Sequence, residues 1–185
     1  MFQLMADLSS NNHPTDEPID GKALFDAGFR FAMVKATEGT TYVNPWLVKD
    51  TEACIAAGIK VGYYHFAHPG QSTPERQAEY FTTAIRGLKC YIGVALDLEV
   101  IEDASPRELA QWANAFCHHA QISGHGARIY TNPAFLVQMA HFLDPWPLWI
   151  ASWGKRPRRQ FWAWQFGTID VPGIGPVDAS HYTGK

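Results

Sequence analysis

Two carboxylic acids separated by a single residue, in the segment Ala95-Leu96-Asp97-Leu98-Glu99, are the residues of this sequence best placed to do chemistry. Alternate side chains of an extended strand share a face, so Asp97 and Glu99 point to one site together, about 6 to 7 Å apart along the strand. Two carboxyl groups that close cannot both ionise freely. Their pKa values are driven apart, which leaves one proton donor and one anion at neutral pH. Cleavage of a glycosidic bond needs that pairing, although the same spacing also suits a salt-bridged strand end or a metal site. Asp7 ends the first apolar run and Asp178 lies in the last. If the sheet closes on itself, these two stand side by side and four acids converge.

The elements that must position them can be read from periodicity. Short apolar runs at residues 2–8, 29–36, 60–67, 91–98 and 127–131 alternate with longer amphipathic segments, the pattern of strands joined by helices. One helix starts at Ser105, with Pro106 at its first position and Glu108 three residues after the cap; Thr73 and Pro74 start another. Gly28, Gly58, Gly87 and Gly124 each close a helical segment just before a strand, where the left-handed conformation that ends a helix favours glycine. Repeated helix, glycine, strand units imply parallel strands with right-handed crossovers. After about residue 140, strands at 148–152, 162–166 and 177–179 follow one another with loops too short or too rich in Pro and Gly for full helices.

Five βα units and three bare strands make eight, the number that closes a barrel filled by side chains. A dinucleotide-binding sheet would place a glycine-rich loop after the first strand, but that loop reads DLSSNNHP,. The expected fold is therefore α/β, an irregular TIM-like barrel of five βα units followed by three strands, over a single domain spanning 1–185.

In such barrels the active site lies at the C-terminal strand ends, and polar residues collect there. Ser9 follows Asp7; Lys35, Thr37 and Glu38 finish the second strand, and Tyr64 and His65 the third. Tyr130 and Asn132 end the fifth, Ser152 and Trp153 the sixth, and Gln165 the seventh. His65 has no second histidine at ligand spacing, so it reads as a hydrogen-bonded pocket residue before a metal ligand. Lys35 and Glu38 suit an ion pair at the rim. Of Tyr64, Tyr130, Trp149 and Trp153, alternation sends about half away from any site.

Composition narrows the partners. A net charge of −3 gives no domain-wide basic field, so nucleic acid is not expected; a local basic run, Lys155-Arg156-Pro157-Arg158-Arg159, suits a solvated loop or a contact with a polyanionic wall. Cys54, Cys90 and Cys117 are odd in number and widely spaced, which argues for free thiols and against a zinc site. No stretch approaches the roughly 20 apolar residues of a membrane span. MFQLMADLSS has no basic leader region and reads as a first strand. A monomer made in soluble form in the cytoplasm, without a cofactor, is expected.

Taken in order, the segments DLSSNN, VKATEGTTYVNP, AGIKVGYYHFAHP, ALDLE, RIYTNP, LWIASW, WAWQF and PGIGPVDASHYTG resemble the catalytic domain of glycoside hydrolase family 25, across nearly the whole chain. The resemblance implies a lysozyme-type muramidase that hydrolyses the β-1,4 bond from N-acetylmuramic acid to N-acetylglucosamine in bacterial peptidoglycan. It implies Glu99 as the general acid, Asp97 as the group assisting the sugar's acetamido arm, and Asp7 and Asp178 as acids that orient and tune that pair. Lys35, Glu38, Tyr64, His65, Tyr130, Trp153 and Gln165 are then expected to meet substrate. The spacing alone would suggest inversion through a water, whereas an acetamido sugar also allows a substrate-assisted route. No wall-binding repeats follow the eighth strand, and the setting this suggests is an endolysin released by a holin, or a protein exported by another route. The competing reading is a carbohydrate-binding barrel with little turnover.

Overall fold

The alternating segments form, in a computed structural model that describes residues 2–184, one closed sheet wrapped by helices. The order is β1(Gln3–Leu8), α1(Gly21–Asp26), β2(Phe29–Glu38), β3(Tyr42–Val43), α2(Leu47–Ala56), β4(Lys60–Phe66), α3(Pro74–Ala84), β5(Val94–Asp97), α4(Pro106–Ile122), β6(Ala127–Thr131), α5(Pro133–Met139), β7(Leu148–Ala151), β8(Ala163–Val171) and β9(Gly175–Tyr182). Eight strands make the barrel; β3 is a short antiparallel addition to the edge of β2. Strands β1, β2 and β4 to β8 run parallel, and β9 returns antiparallel between β8 and β1. The reversal has a local cause: only residues 172–174 join β8 to β9, a tight turn that cannot carry the crossover a parallel strand would need,.

Alternation sorts the side chains into two layers. Met5, Phe31, Met33, Tyr64, Ala95, Tyr130, Trp149 and Ala163 fill the lumen. Leu8, Val34, Val61, Leu96, Ile129 and Ile150 face outward, where Leu24, Cys54, Phe81, Phe116 and Leu136 of the helices cover them. Helix ends follow the sequence signals. Ser105 accepts from the backbone N–H of Glu108 at 3.3 Å, and Glu108 accepts from the N–H of Ser105 at 2.9 Å; Thr73 caps α3. Gly28, Gly58, Gly87 and Gly124 all have positive φ, between 84° and 101°,.

Strands β8 and β9 run longer than the sequence suggests. Thr168 and Asp170 are exposed while Ile169 and Val171 turn inward, so beyond the barrel rim the pair continues as a two-stranded arm over the mouth. Its polar outer face conceals the strand signal. The three cysteines are free, Cys54 and Cys117 buried and Cys90 partly so.

Lumen packing is tight where β4 and β5 approach at Gly62. A Cβ there would lie 2.4 Å from the Gly93 carbonyl and 2.8 Å from Met33 Sδ, and backbone cannot yield as a flexible side chain can. Gly62→Ala is expected to destabilise the fold by about 1–3 kcal/mol, seen as a fall of several degrees in thermal midpoint. An unchanged midpoint would contradict this packing.

Candidate active site

The C-terminal ends of the strands open on a cleft of about 380 Å³ lined by Asp7, Lys35, Tyr64, Asp97, Glu99, Tyr130 and Asp178, together with residues of the first loop. All four acids singled out in the sequence meet there. Asp7 and Asp178 are direct register partners across β1 and β9; Asp97 is the last residue of β5, with Glu99 just beyond. Asp97 is buried, whereas Glu99 stands half-exposed on the open side.

Lys35 is the one Lys or Arg among the described residues lining this cleft, so the four carboxyls are poorly compensated. Burial pushes Asp7 from the ordinary 3.8 up to about 7, helped by the charges of Asp178 and Glu99, while a hydrogen bond from Tyr64 and the charge of Lys35 pull the other way. Burial, then the charges of Glu99 and Asp7, hold Asp97 well above the carboxylate range. Glu99 is raised by burial and by Asp178, and Asp178 by burial. Burial and the neighbouring acids also push the Tyr64 and Tyr130 hydroxyls up, so both remain neutral donors,. Asp97 Oδ1 is buried with no hydrogen-bond partner among the described residues.

Beneath the acids a polar layer fixes their positions. Tyr130 donates to Gln165 Oε1 at 2.9 Å, and Gln165 Nε2 donates to Asp7 Oδ2 at 3.1 Å. Gln165 is almost wholly buried and does not line the cleft; it acts through Asp7. Trp149 donates to Ser180 at 2.9 Å and packs on Tyr130 with ring centroids 4.5 Å apart. The Trp153 indole reaches Gln165 Oε1 at 3.4 Å, and 59% of the residue is exposed, but contrary to expectation it does not line the cleft.

His65 requires a correction. It follows Tyr64 in β4, so alternation turns it outward, where Thr37 Oγ1 lies 2.7 Å from Nδ1 and Gln77 Oε1 lies 2.9 Å from Nε2. It stacks on Phe116 and is fully buried; burial lowers its pKa to about 4. It ties the barrel to α3 and α4 and is remote from the cleft. A register shift in β2 between Lys35 and Thr37 separates Lys35, inside, from Thr37, outside. Glu38 also does not line the cleft: it forms the rim ion pair, accepting from Lys35 at 2.6 Å, with His68 Nε2 3.0 Å away. Hydrogen bonds with Lys35 and His68 outweigh its burial and lower its pKa. His68 reaches on to Glu102 at 2.6 Å, which links the loops after β2, β4 and β5.

The cleft also holds Asn11, Asn12, Phe66 and Pro176, which the candidate set omitted. Phe66 shares the face of Tyr64 and Pro176 that of Asp178, two residues away in each case, so parity could have found them. Asn11 and Asn12 lie in a single 3-10 turn capped by Ser9, whose N–H donates to Asn12 Oδ1 at 2.8 Å. The loop that follows is anchored by His13, 3.0 Å from Asp50 on α2, and by the Ile19 N–H donating to Asp50 at 3.1 Å. Among the described residues no group of three or more His, Cys, Asp and Glu is arranged to hold a metal ion.

The raised Asp7 pKa has a consequence for stability. Between pH 3.8 and about 7 the unfolded chain releases a proton that the folded chain keeps, so stability falls as pH rises through this window, by an amount on the order of a few kcal/mol. Asp7→Asn removes that dependence. Its thermal midpoint should exceed that of the wild type at pH 8 and lie close to it or below at pH 5; parallel pH curves for the two proteins would contradict the assignment.

Comparison with known proteins agrees with this fold. Residues 6–171 match the model of the glycosyl hydrolases family 25. The chain is 35% identical over 165 residues to the N,O-diacetylmuramidase of Chalaropsis sp, covering 78% of this chain and 77% of that protein. It is 29% identical over 137 residues to the autolytic lysozyme of Clostridium acetobutylicum, covering 74% of this chain but only 42% of the longer relative. The solved bacterial lysozyme of Streptomyces coelicolor superposes with a TM-score of 0.83 at 26% identity, covering 100% of this chain and 94% of that one. The match runs from the first barrel strand to the arm of β8, and by it the chain belongs to the glycosyl hydrolases family 25.

Proposed function

We propose that this chain is a peptidoglycan hydrolase, a muramidase that cuts the β-1,4 bond between N-acetylmuramic acid and N-acetylglucosamine. The observation that carries the reading is the buried, unpartnered Oδ1 of Asp97 in a cleft where Glu99 stands half-exposed beside it. A buried carboxyl oxygen without a donor is costly, and a substrate N–H can relieve that cost. The acetamido N–H of an N-acetylated sugar is such a donor. Family membership and the names of the relatives point to the same substrate class.

Chemistry then follows from where protons rest. Before substrate binds, Asp97 is the more strongly protonated of the pair. When an acetamido N–H binds Oδ1, the Asp97 anion gains a charge-assisted hydrogen bond. The proton that Asp97 gives up passes to Glu99, whose affinity for it the new negative charge raises, so Glu99 becomes the acid. Glu99 protonates the glycosidic oxygen as the C–O bond breaks, and the bond's electron pair stays with that oxygen. Asp97 meanwhile steadies the acetamido group, whose carbonyl oxygen closes on the anomeric carbon. Water then adds at that carbon as the bond to the acetamido oxygen breaks, its electron pair returning to the acetamido group, and the water gives up a proton to the Glu99 carboxylate, restoring the acid. The ionised fraction of Asp7 and Asp178 favours the developing positive charge on the sugar. Tyr64 and Tyr130, whose protons go to Asp7 and Gln165, offer hydroxyl oxygens as acceptors, and Trp153 presents an exposed ring on which a sugar can stack,.

Glu99→Gln should lower the release of muramic-acid reducing ends from purified peptidoglycan by about 10²–10⁴-fold, while binding of wall fragments stays within a few-fold. Unchanged release would remove the assignment. Activity of the unaltered protein should fall on the alkaline side, because the raised acids are then ionised and no donor remains. A rate that is constant from pH 5 to 9 would contradict a protonated pair.

A further inference from the structure

Away from the cleft, the segment Ser152 to Gln160 descends the outside of the barrel from the end of β7 to the start of β8. Together with α5 it encloses a groove of about 600 Å³. Four of the protein's 15 Lys and Arg lie within five positions here, Lys155, Arg156, Arg158 and Arg159, although the chain as a whole carries −3. All four are exposed and all four line the groove. Its floor is apolar, with Leu136 and the exposed Val137 of α5, and no carboxylate lines it. Among the described residues none of the four cations forms an ion pair. Arg156 has a structural role, because its guanidinium lies over Phe2 at 5.2 Å and Phe161 at 5.7 Å.

Uncompensated like charges crowded on one loop repel one another, and an anion is what relieves them. Arginine forks match phosphate oxygens in pairs, which a diffuse ion atmosphere does not exploit. The concave, apolar floor suits the carbon spacers of a chain that alternates with its phosphates, whereas a bilayer surface would need a projecting face. Duplex nucleic acid, about 20 Å across, is too wide for a groove of this size.

We propose that this groove is a second binding site, for a linear phosphodiester polymer with short polyol spacers. The loop begins at the C-terminal end of β7, on the barrel face where the cleft opens, so a polymer attached to a glycan in the cleft has a route to the groove. Only that origin of the polymer rests on the muramidase reading; binding itself does not.

The test is equilibrium binding of poly(glycerol phosphate) to the unaltered protein and to Lys155→Gln/Arg158→Gln/Arg159→Gln, with Arg156 retained for its packing. Arg76→Gln/Arg86→Gln/Lys89→Gln, on α3 and the turn after it, removes equal charge from another face and serves as control. The groove variant should bind at least tenfold more weakly, and the dependence of log K on log salt should flatten by about one for each cation removed. The control should stay within twofold, and thermal midpoints should match. Arg158→Lys/Arg159→Lys keeps the charge but loses the forks and should weaken binding about threefold. The proposal is overturned if the unaltered protein does not bind or if both triple variants weaken binding equally. It is also overturned if the lysine variant binds unchanged, or if phosphatidylglycerol vesicles or duplex DNA bind more tightly than the polymer.

Discussion

Four carboxyl groups facing one another across a cleft, with a single lysine among the described residues that line it, would repel strongly in any flexible chain. Barrel closure imposes the arrangement: Asp7 and Asp178 are register partners because β9 seals the sheet between β8 and β1, and Asp97 arrives from β5 across the lumen. Charge that cannot disperse is reduced by retaining protons, and burial raises every one of these acids. The strain this represents is a cost in stability carried at the site, and the remainder of the fold has to absorb it.

It does so through rigidity on both sides of the sheet. Inside, Tyr130, Gln165 and Asp7 form a continuous hydrogen-bonded row, and Trp149 is fixed by Ser180 beneath Tyr130. Outside, His65 is held between Thr37 and Gln77, so a buried polar contact joins β2, β4 and α3 within an otherwise apolar layer. At the rim, Lys35, Glu38, His68 and Glu102 bridge three loops. Lys35 lies over Phe66 with its amine 4.8 Å from the ring centroid, so the cleft's one compensating charge is fixed in place. Glu99, half-exposed, retains the access that the proposed proton delivery requires.

Much of this was legible because strands and barrels obey strict parity. The Asp97–Glu99 spacing, with Asp7 near the end of the first strand and Asp178 within the last, marks the site in the sequence, and the glycines before four of the strands mark the βα repeat. Parity also explains the errors. Tyr64 and His65 are neighbours in one strand, so only one can face the lumen, and apolar content does not say which. The β2 register shift after Lys35 could not be read from residue types, yet it sends Thr37 to His65 and Glu38 to the rim. Asn11 and Asn12 come from a turn whose place over the cleft depends on the His13–Asp50 contact, 37 residues apart in sequence. The β8–β9 arm was cut short because a strand exposed on one face beyond the barrel lacks the apolar density of a core strand.

The central claim is that this cluster keeps protons at neutral pH, and carbon-13 NMR titration of the Asp and Glu carboxyl carbons tests it most directly. The account predicts an Asp97 resonance that titrates well above the ordinary carboxylate range and an Asp7 resonance with its midpoint near 7. Four independent titrations between about 3.8 and 4.5, the ordinary values for these side chains, would contradict it.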